Sequence, residues 1–214
     1  GLLSCTGIHV AAQPFLAALL RRLFPERPIL LITEGLKTQE SFQQDLTTWL
    51  GQSEVEGLKP KLGGAPGSMV EPLFYPAWET LPHEARLPHV DVISERLETL
   101  VALARHTTPP SAPGPAPLIV TSLIALLQRT FPRTALQANT RSLRRGDRID
   151  PLDLVEWLEE QGYEPEAQVT QKGELALRGG ILDRFPLSSP WPVRGEFFGD
   201  ELESLRQFEP LTHV

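Results

Sequence analysis

The first part of the chain alternates between helical and extended hydrophobic patterns. Residues 14–24 and 38–50 carry apolar side chains at helical spacing, which predicts two helices that each bury one face. Between them, the apolar run at residues 28–33 is short and continuous, and it predicts a strand covered on both faces. This alternation is typical of an α/β domain built on a parallel sheet.

The same order of elements continues up to residue 132. The further elements are a strand beginning at Phe74, a helix at 90–105, a strand at 118–121 and a helix at 123–129. The stretches 52–72 and 107–117 are rich in Gly or Pro and predict surface loops, because neither pattern continues through them. We therefore predict a first, α/β domain over residues 1–132.

The pattern changes after Leu136. It predicts one strand, then a helix at 153–161, and then several strands and turns from Val169 onward. The helix turns three apolar residues inward, Leu154, Trp157 and Leu158. Strands grouped around a single helix indicate a small α+β domain with an antiparallel sheet, and we place it at residues 133–214.

The run Val-Arg-Gly-Glu-Phe-Phe at 193–198 has the composition of a strand with one binding face. Side chains alternate between the two faces of a strand, so Arg194 and Phe198 share one face while Phe197 points the other way. With Phe197 in the core, Arg194 and Phe198 are held outward, and an arginine beside an exposed ring is typical of a binding hot spot. Arg178, at the Arg-Gly-Gly bend, is a candidate third member, on a strand that we expect beside that of Arg194.

A second interpretation fits the same residues. In it both phenylalanines belong to the core, and the arginines form ion pairs on a solvated face with one of three carboxylates, Glu174, Glu196 or Asp183. Such surface ion pairs contribute little to stability. The pattern by itself does not choose between a docking face and this arrangement.

Three stretches of the sequence resemble a known family. They are LRGGILDRFP at 177–186, PVRGEFFGDELESLRQFEPLT at 192–212 and FYPAWETLPHEARLPHVDVISERLETL at 74–100. In these three stretches the chain resembles UvrB, a bacterial nucleotide-excision-repair protein, and its relatives the transcription-repair coupling factors. The stretch at 74–100 is more similar to the coupling factors than to UvrB.

The resemblance implies both a fold and a partner. It implies a degenerate helicase-like domain over residues 1–132, followed by a small domain, residues 133–214, that recruits the damage-recognition ATPase UvrA. The residues that match the UvrA-contacting patch are Arg178, Arg194 and Phe198, with Trp191 as a candidate extension. We expect Arg178, Arg194 and Phe198 to form one contiguous patch whose loss abolishes UvrA binding without unfolding the domain. Truncation of Arg194 or of Phe198 alone should weaken UvrA binding and leave the melting temperature within a few degrees. A full-length relative would be an ATP-dependent DNA translocase, which reaches RNA polymerase and DNA through regions absent from this chain.

The alternative within the resemblance is a fragment of UvrB itself, a DNA-loading ATPase subunit. An ATPase of this kind needs a glycine-rich loop ending in Gly-Lys-Ser/Thr to surround the phosphates and magnesium. At that place residues 3–9 read Leu-Ser-Cys-Thr-Gly-Ile-His, and only Thr6 and Gly7 are suggestive. The aromatic hairpin of UvrB is also missing between Tyr75 and Val90. We therefore interpret residues 3–9 as a strand-to-helix loop, and we predict no nucleotide cofactor, no catalytic residue and no enzymatic activity for this chain.

Other chemistry receives little support from the sequence. His83, Glu84, His89 and Asp91 carry metal-ligand atoms, but their stretch is interrupted by proline and lacks helical ligand spacing, so we predict no metal site. The single cysteine, Cys5, permits no intrachain disulfide and suits a reducing cytoplasm. No apolar run reaches the roughly 20 residues of a membrane-spanning helix, and we predict no membrane partner.

Charge argues against a third function, a free-standing DNA-binding module. The chain has 20 Lys and Arg against 27 Asp and Glu, and its net charge of -7 is the wrong sign for gripping phosphates. We interpret its basic run, Arg141, Arg144, Arg145 and Arg148, as a solvated turn.

Overall fold

The computed structural model describes residues 4–51, 71–80, 87–106 and 116–209 of the chain. The chain divides into two compact units. The first comprises residues 1–88 and 99–130, and the second comprises residues 89–98 and 131–214. The predicted functional domains, 1–132 and 133–214, place residues 89–98 in the first domain, whereas the compact units place them in the second. The functional domains remain a prediction.

The first unit is built on a parallel sheet of three strands. A 3-10 turn at Val10–Ala12 precedes helix α1 (Gln13–Leu23), strand β1 (Ile29–Thr33), helix α2 (Leu36–Gly51), strand β2 (Leu73–Tyr75), helix α3 (Val90–His106), strand β3 (Leu118–Ser122) and helix α4 (Leu123–Leu127). The strand order is β1-β3-β2, and both pairings are parallel. By residue assignment, α3 belongs to the second unit up to Glu98 and to the first from Thr99.

Strand β3 forms the centre of the first core. All five of its residues are buried, because apolar side chains cover the strand from both sides. Leu118 and Val120 belong to a cluster with residues of α1 and α2, namely Ala17, Ala18, Phe42 and Leu46. On the other side, Ile119 packs with Tyr75 and Ala125. These packed layers confirm the predicted α/β class.

The prediction that the strand at 28–33 is buried on both faces is wrong. Ile29 and Leu31 pack against the helical cluster, but Leu30 and Ile32 are 48% and 55% exposed. The reason is position in the sheet, since β1 is an outer strand and no described helix covers its second face. An apolar run therefore predicted the strand correctly but not the layer above it.

The second unit consists of a mostly antiparallel sheet with one helix packed on it. Its further elements are α5 (Arg133–Ala138), α6 (Pro151–Glu160), β4 (Glu164–Pro165), β5 (Glu174–Arg178), β6 (Ile181–Arg184), β7 (Val193–Phe198) and β8 (Glu201–Gln207). The strand order is β4-β5-β6-β7-β8, and only the short β4–β5 pairing is parallel. This confirms the predicted α+β class for this part of the chain.

Helix α6 is specified by its sequence. The Asp150 carboxylate accepts a hydrogen bond from the Leu152 backbone amide at 2.8 Å, and Pro151 occupies the first turn, where no amide hydrogen is needed. Leu154 and Leu158 are then buried against the sheet, together with Leu175 and Leu182. As predicted, Trp157 joins this core, although it is only partly buried.

Two sequence predictions for this unit need correction. No strand is found between Leu136 and α6; after α5 ends at Ala138 the segment is irregular and makes one isolated bridge, from Arg148 to Glu201. The short helix α5 was not predicted, because six residues without a buried side chain give no periodic signal.

The turns of the sheet depend on glycine at two places. Gly179 adopts a φ of 61° in the turn between β5 and β6, a conformation that other residues rarely adopt. At Gly180 a Cβ atom would lie 2.5 Å from the backbone oxygen of Phe197, and the Gly180 carbonyl accepts a hydrogen bond from the Phe197 amide at 2.7 Å. The Arg-Gly-Gly turn is therefore fixed against β7 by a close backbone approach.

Candidate functional site: the arginine face

One face of the five-stranded sheet carries the charged residues singled out from the sequence. Residues directly opposite one another in an antiparallel pair share a face. The pairings Ala176 with Asp183, Asp183 with Arg194, and Arg194 with Arg206 therefore form one row across four strands. The next row on this face consists of Arg178, Ile181, Glu196 and Ser204. We call this side the arginine face; Leu175 and Leu182 point to the opposite side, which packs on α6.

Asp183 lies at the centre of the arginine face and has no solvent exposure. Its Oδ1 accepts from Arg194 Nε at 2.6 Å, and its Oδ2 accepts from the second nitrogen, Nη2, of Arg194 at 2.8 Å. Arg178 Nη2 donates to the same Oδ2 at 3.1 Å. One buried carboxylate therefore holds two arginines, the first of them in a bidentate pair.

The environment of Asp183 changes its proton affinity. Burial by itself raises the pKa of this carboxyl, but the hydrogen bonds and positive charges of Arg194 and Arg178 outweigh burial, so the pKa lies below its usual value. The hydrogen bonds to Asp183 also raise the pKa of Arg194, despite its burial. Asp183 is therefore a carboxylate at neutral pH, and the cluster carries a net positive charge.

Arg194 lies on the predicted face but is not an open contact residue. Its side chain is only 14% exposed. Besides the bidentate pair, the guanidinium lies over the ring of Phe208, 4.8 Å from the ring centroid. The expectation that Arg194 is held outward is therefore wrong for its guanidinium, because the carboxylate of Asp183 and the ring of Phe208 cover most of it.

Arg178 is the more accessible arginine. Its side chain is 53% exposed, and among the described residues only its Nη2 donates a hydrogen bond. The expectation that its strand lies directly beside that of Arg194 is wrong, since β6 lies between β5 and β7. Asp183 lies on this middle strand and accepts hydrogen bonds from both arginines, so it connects them across β6.

Phe198 has the exposure that the alternation predicts. It is 77% exposed, whereas Phe197 packs with the α6-facing core. Along β7, Phe198 follows Glu196 on the same face, and Glu196 is in the row of Arg178 and Ile181. Ile181 is itself 37% exposed. The structure therefore places an exposed ring, an exposed aliphatic side chain and an arginine at one end of the arginine face.

The second interpretation of the sequence named three candidate partners for the arginines, and the true partner is one of them. Asp183 is the carboxylate that accepts from both Arg178 and Arg194. Glu174 instead accepts from the backbone amides of Thr170 and Gln171, while Glu196 accepts from Ser204 and Arg206. That interpretation is wrong about Phe198, which is not in the core, and about solvation, since Asp183 is fully buried.

Sequence reasoning missed the importance of two residues of the site. Asp183 was one of three candidate partners, and Phe208 was not singled out. Alternation along β6 places Asp183 on the same face as Ile181, and this much could be read from the sequence. The pairing of Asp183 with Arg194, however, requires the register of β6 against β7. Phe208 follows β8, and only tertiary packing brings its ring onto Arg194.

The N-terminal loop shows an irregular course. Residues 4–9 are neither helix nor strand, and Thr6 and Gly7 are exposed. Gly7 has a φ of 79°, and the His9 side chain accepts from the Ala11 amide at 3.3 Å to begin the 3-10 turn. The predicted loop before the first helix is thus observed, while no strand precedes it among the described residues. Leu3 lies outside them.

The structure describes only two of the four residues considered as metal ligands. His89 and Asp91 approach each other, with Nδ1 3.4 Å from Oδ2, but His83 and Glu84 lie outside the described residues. Over the part of the chain that is described, no three His, Cys, Asp or Glu residues form a group able to hold a metal ion. No described helix is long and apolar enough to cross a bilayer.

The basic run is engaged by neighbouring residues. Arg141 lies over the ring of Trp157 at 4.3 Å, and Arg148 approaches Glu201 at 3.5 Å. The backbone amide of Arg144 donates to Asp147 at 2.7 Å, and the side chains of this run are exposed. These contacts agree with its interpretation as a solvated turn.

Comparisons with known proteins place the arginine face inside a recognised domain. Residues 142–214 match the UvrB interaction domain. The chain is 38% identical over 141 residues to a transcription-repair-coupling factor of Haemophilus influenzae, and 38% identical over 132 residues to one of Escherichia coli. It is 30% identical over 182 residues to the Bacillus subtilis factor.

These matches cover most of the chain but little of the relatives. They include 65%, 62% and 85% of this chain, but the chain spans only 11%, 11% and 13% of the three relatives, respectively. The similarity therefore concerns one part of a much longer kind of protein. Over most of its length the chain is homologous to the transcription-repair-coupling factors, and it carries a UvrB interaction domain at residues 142–214.

Proposed function

We propose that this chain is the UvrA-recruiting module of a transcription-repair coupling factor and acts as an adaptor in nucleotide excision repair. Its partner surface is the arginine face of the second unit, with Arg178, Arg194 and Phe198 as the central residues. In this proposal the module brings UvrA to sites where RNA polymerase has stalled. Polymerase and DNA are bound by other parts of the longer protein.

The observation that carries the proposal is the exposure of Phe198 beside a fixed arginine cluster. Because Phe198 is 77% exposed, its ring buries little apolar area and contributes little to folding. Aromatic rings and arginines are the residue types that dominate the binding energy of protein interfaces. Here both lie in the segment that matches the UvrB interaction domain.

The residues have different roles in this proposal. Phe198 is the apolar anchor that enters a pocket of UvrA, and the exposed donors of Arg178 bind an acidic group beside that pocket. Arg194 is held by Asp183 and Phe208, so it contributes a fixed positive charge rather than a flexible arm. A rigid arrangement of this kind binds with a smaller loss of side-chain entropy.

The first unit has no enzymatic role in the proposal. We interpret residues 1–132 as the degenerate helicase-like domain and residues 133–214 as the UvrA-binding domain. The segment at 3–9 lacks the lysine and the glycine series that a phosphate loop needs, and ATP-driven translocation belongs to the longer protein. The alternative, a fragment of UvrB, is less well supported because the relatives compared above are transcription-repair-coupling factors.

A pull-down of purified UvrA by the immobilised chain tests the proposal. We expect capture at low salt that weakens at high salt, because an arginine cluster contributes electrostatic attraction that ions screen. Leu152→Ala is a suitable control, since Leu152 is 66% exposed on α6, on the other side of the sheet. If UvrA is not retained at either salt concentration, the proposed function is wrong.

A further inference from the structure

The fully buried member of the arginine face is an acid in a cluster that the proposed function treats as basic. Asp183 has no exposed surface, so it cannot touch a partner. A hydrophobic residue at this buried position would not require two arginines for compensation, and buried ion pairs are weak evidence for stability as such. The geometry of its contacts suggests a different role.

The three hydrogen bonds of Asp183 fix the plane of one guanidinium group and tether a second one through a single nitrogen. Arg194 donates through Nε and Nη2 to different oxygens of the carboxylate, which defines the plane of its guanidinium. Phe208 then covers that guanidinium at 4.8 Å from its ring centroid. Arg178 donates only through Nη2, so its Nε and Nη1 have no partner among the described residues.

We propose that Asp183 is a positioning residue, which holds Arg178 and Arg194 so that the remaining donors of Arg178 form a receptor for a carboxylate of the partner, beside the apolar contact at Phe198. The proposal rests on the proposed function, in that the partner is UvrA. The acidic group on UvrA binds Arg178 directly and never meets Asp183. Binding affinity therefore depends on a residue that is absent from the interface.

The orientation can be measured without any partner. In the full 214-residue chain, relaxation of the arginine Nε–H groups by nuclear magnetic resonance should show ordered side chains for Arg178 and Arg194. Asp183→Asn keeps the size of the side chain but removes the charge and one acceptor, and it should make Arg178 mobile while circular dichroism still shows a folded chain. A mobile Arg178 in the unsubstituted chain, or an ordered one in folded Asp183→Asn, overturns the proposal.

The effect on UvrA is tested with a double-mutant cycle. We expect Asp183→Asn to weaken the Kd for UvrA about tenfold, the amount expected on losing one hydrogen bond to a charged group. In a chain that already carries Arg178→Ala, which keeps the bidentate pair of Asp183 with Arg194, the same change should weaken binding less than about twofold, because Asp183 acts on the partner through Arg178. A tenfold loss in both backgrounds contradicts the proposal.

A second variant covers the case in which Asp183→Asn does not fold. Arg178→Lys keeps the positive charge on an exposed side chain but loses the planar group that Asp183 orients. Positioning predicts that it binds UvrA as weakly as Arg178→Ala, within about twofold, whereas attraction by charge alone predicts near-normal binding. Arg141→Ala is the matched control, since it removes an exposed arginine that stacks on Trp157 of α6.

These measurements separate the inference from the proposed function. If the unsubstituted chain fails to bind UvrA, the proposed function is wrong, and the relaxation data still decide whether Asp183 orients the arginines. If the chain binds UvrA and Arg178→Lys binds normally, UvrA recruitment stands and the positioning role of Asp183 is wrong.

Discussion

Phe198 and Arg194 were predicted as equivalent members of one patch, but their surroundings differ. Phe198 projects from β7 with most of its surface exposed, while Arg194 is largely covered by Asp183 and Phe208. A residue that contacts only solvent can be truncated with little effect on folding. A residue that neutralises a buried carboxylate cannot, because its removal leaves a buried charge without its main partner.

Phe198→Ala should weaken UvrA binding without destabilising the chain. Loss of a central anchor costs about 2 kcal/mol or more of binding, whereas an exposed truncation changes the free energy of unfolding by about 0.5 kcal/mol or less. Calorimetric titration with UvrA and a thermal melt measure the two quantities. If the melting temperature falls sharply and binding by the folded fraction is normal, Phe198 contributes to packing and is not an anchor.

Arg194→Ala should destabilise the second unit, contrary to the expectation from the sequence. It leaves Asp183, which is fully buried, with only the single bond from Arg178, and breaking such a pair costs about 3 kcal/mol. Arg178→Ala keeps the bidentate pair and should cost less than about 1 kcal/mol. Urea unfolding of both variants, followed by tryptophan fluorescence, makes the comparison; equal losses would mean that the bidentate pair has no special weight.

Asp183 should also make stability depend on pH in the acid range. Its pKa is lowered in the folded chain, so its contribution is fully present above the unfolded value of about 4 and is lost as pH falls through the lower, folded pKa. The difference in unfolding free energy between the unsubstituted chain and Asp183→Asn should therefore be constant from pH 7 to 5 and shrink toward pH 3. A difference that stays constant down to pH 3 would contradict this assignment.

At the scale of the element, the turn between β5 and β6 sets the geometry of the site. It brings Arg178 to the same end of the sheet as Phe198, and the Gly180 carbonyl fixes the turn to the Phe197 amide. The two glycines of the Arg-Gly-Gly sequence are therefore explained by the turn and by its close backbone packing against β7.

Gly180→Ala should destabilise this sheet. Its Cβ would lie 2.5 Å from the Phe197 backbone oxygen, and since backbone cannot move aside easily, we expect a loss of about 1–3 kcal/mol. Gly51→Ala is the control, because a Cβ there meets no atom of a described residue within 4 Å. Thermal unfolding of the two variants tests the close approach, which would be disproved by equal melting temperatures.

At the scale of the whole molecule, the two units have different roles in the proposed function. The arginine face lies entirely within residues 142–214, the segment that matches the UvrB interaction domain. The first unit has a parallel sheet with helices, but its N-terminal loop lacks the lysine that would hold a nucleotide phosphate. The proposal therefore assigns recruitment to one unit and no chemistry to the other.

The chain should neither bind nor hydrolyse ATP in the presence of magnesium. Thr6 and Gly7 alone provide no positive charge and too few backbone donors for a triphosphate. Titration calorimetry with ATP and a phosphate-release assay measure both activities. Saturable binding that disappears in Thr6→Ala would show that the loop is functional and would restore the ATPase alternative.

The sequence by itself determined that Phe197 and Phe198 lie on opposite faces of β7. Alternation is a property of a single strand, so this separation follows from local order alone, while the structure shows that Phe198 is the exposed one. The longer helices and most strands follow for the same reason, since their periodicity lies in neighbouring residues, whereas the short helix α5 has no such pattern. The resemblance to UvrB and the coupling factors likewise needed only the sequence.

Only the tertiary structure decided what surrounds each arginine. The Asp183–Arg194 pair depends on the register between β6 and β7, the Arg178 contact depends on the register between β5 and β6, and Phe208 arrives from beyond β8. Registers between strands and burial are set jointly by several elements, and no local pattern encodes them. For the same reason the sequence did not show that Leu30 and Ile32 on the outer strand β1 remain exposed, because burial of a strand face depends on which element packs above it.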